Sequence, residues 1–127
     1  MNDLWVHYNP NYKNKTVGDC VVRALSKVLS QSWEETHLSL CIESFCMADM
    51  PSSNAVWDSL LKSKGFKREI ISNNCRNCYT VEDFCADNPE GVFVVGTGTH
   101  AIAIIDGKYF DAWNSGSEHP IYYYRKE

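Results

Sequence analysis

The sequence has 127 residues, 44% of them hydrophobic and 22% charged, which fits one ordinary globular domain able to build its own core. That balance excludes a disordered tail, a collagen-like rod and a coiled coil. Twelve basic against sixteen acidic residues leave a net charge of −4, and the densest basic stretch, Lys62 to Arg68, is broken by apolar residues, so no nucleic-acid-binding surface of clustered Lys and Arg is expected.

Residues 1–16 are rich in Asn, Tyr and Pro and read as an irregular arm, without the charged start and apolar run of a signal peptide. No run of about 18 apolar residues occurs, so no membrane span is expected and the chain reads as cytosolic. Val21, Val22, Leu25, Val28 and Leu29 then recur at helical spacing, with Asp19 as the expected N-cap. Ser32 with Glu35 makes a capping-box pattern opening a second helix, Trp33 to Met47. Pro51, Ser52 and Ser53 mark a loop. Asn54 is the expected cap of a third helix, Ala55 to Lys64, closed by Gly65. Beyond Gly65 the period changes. Phe66 to Ile71 reads as a strand, and Thr80 opens a short helix, Val81 to Ala86, stopped before Pro89. The segments GVFVVGTGT, HAIAIIDGKYFDAW and PIYYYR read as strands, and Asp106-Gly107 is a tight hairpin turn. Helices first and strands afterwards predict one α+β domain over 1–127, its N-terminal helices packed on a C-terminal antiparallel sheet. Gly96 and Gly98 lead into a strand rather than a helix, so they are expected to allow close backbone approach and not to bind phosphate. Tyr122 and Tyr124 fall on one strand face and are expected in the core, with a groove wall as the other reading.

There are six cysteines: Cys20, Cys41, Cys46, Cys75, Cys78 and Cys85. Without a secretory context they are expected mostly as reduced thiols. Cys41 and Cys46 lie inside a helical pattern and read as fillers. Cys20 stands at a helix start, where unpaired N–H groups and the helix dipole favour a thiolate, the nucleophilic form. A nucleophilic thiol works with a base held by a third group. If Asp106-Gly107 is a two-residue turn, Ile105 pairs with Lys108, and alternation places His100, Ile102, Asp111 and Trp113 on one face. His100 is then the base, Asp111 its orienter, and Trp113 a shield against water. Asn114 points to the other face in this register and becomes the orienter if a bulge intervenes. The developing oxyanion needs donors; the Cys20 N–H is one and the Asn14 amide, six residues upstream, another.

Plainer readings exist for each. Cys20 alone is a small buried hydrophobe, His100 a structural residue at a strand end, Asp111 an edge-strand charge. His7, His37 and His119 read as surface residues. Cys75-Arg-Asn-Cys78 with Cys85 has the spacing of a zinc or redox site, but no second pair and no obvious fourth ligand follow. No metal or cofactor is expected.

Cys at a helix start, His on a strand and Asp or Asn on the next is the chain order of papain-like cysteine peptidases. NKTVGDCVVRAL resembles that superfamily's nucleophile segment, and THAIAIIDGKYFDAWNS its His/Asp hairpin. GDCVVRAL with the Asp-Ala-Trp-Asn segment is similar to small papain-fold proteins of phages and gut-type bacteria. Where papain has a Gln six residues before the nucleophile, Asn14 stands here. The Cys-Gly-Ser-Cys-Trp signature is absent, and Val21 and Val22 stand where cell-wall amidases carry Ser-Gly. The resemblance implies a papain-like fold and a thiol protease or amidase, acting through Cys20, His100 and Asp111 and a thioester acyl-enzyme. Its partner would be a peptide or protein substrate in the cytoplasm of a bacterium or phage-infected cell. Peptidase, isopeptidase, amidase and acyltransferase remain open. The rival reading is a catalytically silent papain-fold protein that binds a host protein. An open groove beside an intact triad favours the enzyme; a groove filled by the arm, Asn2 to Tyr12, favours the rival.

Overall fold

Asp106 and Gly107 form the hairpin turn. Both have positive φ, 50° and 76°, the pair a type I′ turn requires. In the computed structural model, which describes residues 4–72 and 78–127, this turn joins β4 (Ala101–Ile105) to β5 (Lys108–Asp111). Ile105 faces Lys108, Ile104 faces Tyr109 and Ala103 faces Phe110, the expected register. The remaining elements are β1 (Trp5–His7), α1 (Cys20–Val28), α2 (Trp33–Met47), α3 (Asn54–Ser63), β2 (Phe66–Ile70), α4 (Val81–Asp87), β3 (Val92–Gly96) and β6 (Tyr122–Lys126).

The chain is α+β, with four helices and one six-stranded sheet among the described residues. The strand order is β1-β5-β4-β3-β6-β2. The sheet is mixed rather than antiparallel throughout: β1 runs parallel to β5, while every other pair is antiparallel. This corrects the expectation of a wholly C-terminal antiparallel sheet after an irregular arm. Three residues carry too little alternation to announce a strand, and the pairing is set by what β5 leaves open. The Tyr109 N–H donates to Leu4 O at 2.9 Å and the Tyr8 N–H to Asp111 O at 2.8 Å.

Local signals account for the helix starts. Ser32 and Glu35 exchange both capping-box bonds at 3.1 Å, and Thr80 with Asp83 does the same at α4. The cap of α3 is Ser53 rather than Asn54, whose side-chain oxygen instead accepts from Trp57 Nε1 at 2.9 Å. Alternation along β4 divides the core. Ala101 and Ala103 join a cluster with Leu25 of α1, Leu40 of α2, Val56 and Leu61 of α3, and Tyr122 and Tyr124 of β6. Ile102 and Ile104 join a second cluster with Val81 and Phe84 of α4 and Tyr109 of β5.

Cys20, Cys41, Cys46 and Cys85 are free, whereas Cys78 is disulfide-bonded and so departs from the reduced state expected of it. Cys75 lies outside the described residues. Among the described residues no group of three or more His, Cys, Asp or Glu side chains is placed to hold a metal ion, and no helix is long and apolar enough to cross a membrane.

Candidate active site

Cys20 is the first residue of α1 and is half-buried. The amides of a helix's first turn have no partner inside the helix, so the sulfur sits at the positive end of the helix dipole. His100 immediately precedes β4, and its ring meets two groups. Nε2 lies 2.6 Å from Asp111 Oδ2 at the end of β5, and the ring also hydrogen-bonds the Cys20 side chain. With Nε2 held by Asp111, Nδ1 is the nitrogen left for the sulfur. Burial would raise the Cys20 thiol. The His100 bond, the Ala101 backbone N–H and the charges of His100 and Arg23 outweigh it, and the thiol ends below its ordinary 9.0. Burial would lower His100, but its bonds to Asp111 and Cys20 prevail and push it up to about 9. Asp111 is held below the usual carboxylate value against its burial, chiefly by the bonds from His100 and Ser115.

Trp113 stacks on the His100 ring, centroids 4.6 Å apart and planes 25° from parallel. It does so from outside the ladder: pairing ends at Ala103–Phe110 and β5 ends at Asp111, so the expected His100–Trp113 strand pair does not form. Asn114 does not orient His100. Its side-chain oxygen accepts from Tyr109 OH and from the Gly116 N–H.

One residue absent from the sequence reading completes the site. Arg23 lies in the buried face of α1, only 3% exposed, between Val22 and Ala24. Its Nε donates to Asp111 Oδ1 at 3.0 Å and its Nη1 to Asp19 Oδ1 at 2.6 Å. Asp19 Oδ2 accepts from Trp33 Nε1 at 2.8 Å. Asp19 therefore stands at the N-cap position without making the expected side-chain cap bond, because Arg23 and Trp33 take its carboxylate. Asp111 also accepts from Ser115 Oγ at 2.7 Å and the Ala112 N–H at 2.8 Å. Every carboxylate oxygen here is matched, as burial requires. The Asp19/Arg23 spacing of four on a helix was the available signal.

A cavity of about 380 Å³ opens beside Cys20 and His100, walled by Trp33, Leu40, Trp57 and Tyr122 and by the Gly98–Thr99 turn. Gly96 faces Tyr122 across the ladder, and a Cβ there would overlap the Tyr122 ring, so the ring reaches this wall because residue 96 has no side chain. His37, expected on the plain surface, is exposed but lines the cavity with its ring 4.9 Å from Trp33. His7 is exposed, and His119 Nδ1 lies 2.9 Å from Tyr79 O.

Asn14 is not at the site. It is exposed, does not line the cavity, and takes a left-handed backbone (φ 54°) in a turn where its N–H donates to Asn11 O. Among the described residues of the arm, from Leu4 on, none through Tyr12 lines the cavity, whose lining begins at Val17. The arrangement can generate a thiolate, hold an imidazolium beside it, and keep both at an open cleft. No family model, no curated protein and no solved structure matches the chain.

Proposed function

We propose that the chain is a small papain-like cysteine hydrolase that cleaves a peptide or related amide bond. The feature that carries this is the placement of Cys20, His100 and Asp111 together, His100 bonded to Asp111 and acting on the Cys20 thiol, at the mouth of a cavity whose lining among the described residues begins at Val17. The helix-start cysteine, the His/Asp hairpin and the cluster joining α1 to α3 with β3, β4 and β6 support the papain-like part of the reading.

In the mechanism, the Cys20 thiolate adds to the amide carbonyl carbon. The oxyanion is stabilised at the N-terminus of α1, where the Cys20 N–H points. His100 gives its Nδ1 proton to the leaving amine as the C–N bond breaks, which leaves a thioester on Cys20. Water then attacks the thioester as His100 takes its proton, and the C–S bond breaks, releasing the acid and restoring the Cys20 thiolate beside the His100 imidazolium. Asp111 keeps the ring oriented and stabilises its charged form, and Trp113 covers one ring face. No cofactor enters any step. The rate should rise with pH as the thiolate forms, below the ordinary thiol value of 9.0, and fall as His100 loses its proton near 9. The same reading places the enzyme in the cytoplasm of a bacterium or phage-infected cell.

Incubation with a library of internally quenched peptides tests this. Wild type should cleave a subset and show an acyl adduct on Cys20 after acid quench; Cys20→Ala should do neither while melting like wild type. Cleavage surviving in Cys20→Ala would rule out the mechanism. One observation favours a binding protein instead: the outer face of α2 exposes Leu38, Ile42 and, at 86%, Phe45. Absence of turnover on any peptide, with Cys20 still reactive, would turn the reading to that face.

A further inference from the structure

The cleft does not end at the triad. A second cavity, of about 430 Å³, adjoins the first, with Asn54, Trp57, Gly98 and Tyr122 lining both. Its far part is lined by Asp58, Arg68, Ile70, Ile121 and Tyr124. The charges there are unevenly used. Asp58 is matched by Lys62 at 3.1 Å and by the Tyr124 hydroxyl. On β2, the neighbouring Glu69 is paired with Arg125. Arg68 makes no ion pair among the described residues. Its guanidinium carbon lies 4.3 Å from the Tyr122 ring centroid, so the shared tyrosine holds the cation in place without neutralising it. An unneutralised guanidinium presents a planar fork of N–H donors suited to a carboxylate. Beside it Ile70 and Ile121 are exposed, at 63% and 52%, as apolar flanks for an extended chain.

We propose that Arg68 forms a carboxylate-binding subsite in the cavity that adjoins the Cys20 cleft, selecting peptide substrates that reach past Tyr122 and carry a carboxylate there. The subsite rests on the hydrolase reading for its role in substrate selection, though not for its ability to bind. The carboxylate is supplied by an Asp or Glu side chain or by a free C-terminus, and the test separates these sources.

Two readouts are needed on the full chain. In the first, paired peptide libraries carry Glu or Gln at each position and end as free acid or amide, with cleavage followed by mass spectrometry. Wild type should prefer the carboxylate member of one pair by about fivefold, a value suited to a partly exposed ion pair. In Arg68→Gln the preference should fall to near one, and Arg68→Lys should restore part of it. In the second, the Arg68 Nε–Hε signal is followed by NMR during titration with acetyl-Ala-Glu-Ala-amide, acetyl-Ala-Gln-Ala-amide and acetyl-Ala-Gln-Ala free acid. The signal should move with a carboxylate peptide and stay still with the neutral one. Movement with the Glu amide identifies a side-chain carboxylate, and movement with the Gln acid a C-terminus. A signal that no carboxylate peptide moves, or a preference that persists in Arg68→Gln, overturns the subsite even if peptides are cleaved. Movement of the signal without cleavage of any peptide upholds the subsite and defeats the hydrolase reading instead.

Discussion

Arg23 is one cation shared by two buried carboxylates, and it ties the start of α1 to the end of β5. Removing one partner of such a set leaves charge buried and unmatched, which costs about 3–5 kcal/mol. Arg23→Met should therefore lose about that much stability in urea unfolding, and Cys20 should label more slowly because Asp111 no longer holds His100 firmly. Unchanged stability would mean that Asp19 and Asp111 find other partners. Among single residues, the placement of Cys20, His100 and Asp111 was legible from helix position and hairpin register, while Trp113 meets the His100 ring from beyond the strand rather than by the expected pairing. Arg23 was legible only as far as its spacing of four from Asp19, since its second acceptor, Asp111, lies on another element. Asn14 failed for a related reason: counting six residues back from a cysteine says nothing about the turn that Asn11 builds, with its side chain accepting from the Lys13 and Lys15 N–H groups.

At the scale of elements, the β4–β5 hairpin carries both His100 and Asp111 on one tight turn. Gly107 has φ 76°, and a Cβ there would approach Pro89 Cα to 3.3 Å. Gly107→Val adds a branched side chain in a left-handed conformation, which costs about 1–3 kcal/mol. Chemical denaturation should show that loss, with slower Cys20 labelling as the hairpin shifts. A stable variant with full reactivity would mean that the turn does not set the site. Helices α2 and α4 were readable from their capping boxes, and the hairpin from two turn residues, because those signals are local. The extent of β5 was not. Alternation carried the expected strand on to Trp113, whereas the strand ends at Asp111, whose side chain accepts from its next neighbour's N–H and from Ser115.

Across the whole molecule, the arm closes the sheet edge next to the site. β1 lies parallel to β5, and both the Tyr8 N–H and Trp5 Nε1 donate to the carbonyl oxygen of Asp111, the latter at 3.2 Å. Trp5→Ala removes one of these bonds and a half-buried ring, so a loss of about 2 kcal/mol is expected in thermal unfolding. Slower Cys20 labelling should accompany it, and unchanged labelling would show that the edge is only structural. The order of helices before strands announced an α+β chain, but a three-residue parallel strand depends on a partner at the other end of the sequence and leaves no local trace. The central claim is a thiolate–imidazolium pair, and alkylation reads it most directly. Iodoacetamide labelling of each free cysteine should be followed against pH by peptide mass spectrometry, in wild type and in His100→Ala. Cys20 is predicted to label fast well below the pH that an ordinary thiol requires, to outpace Cys41 and Cys46, and to lose that advantage in His100→Ala. Labelling of Cys20 at the pace of the other cysteines, with no dependence on His100, would contradict the account.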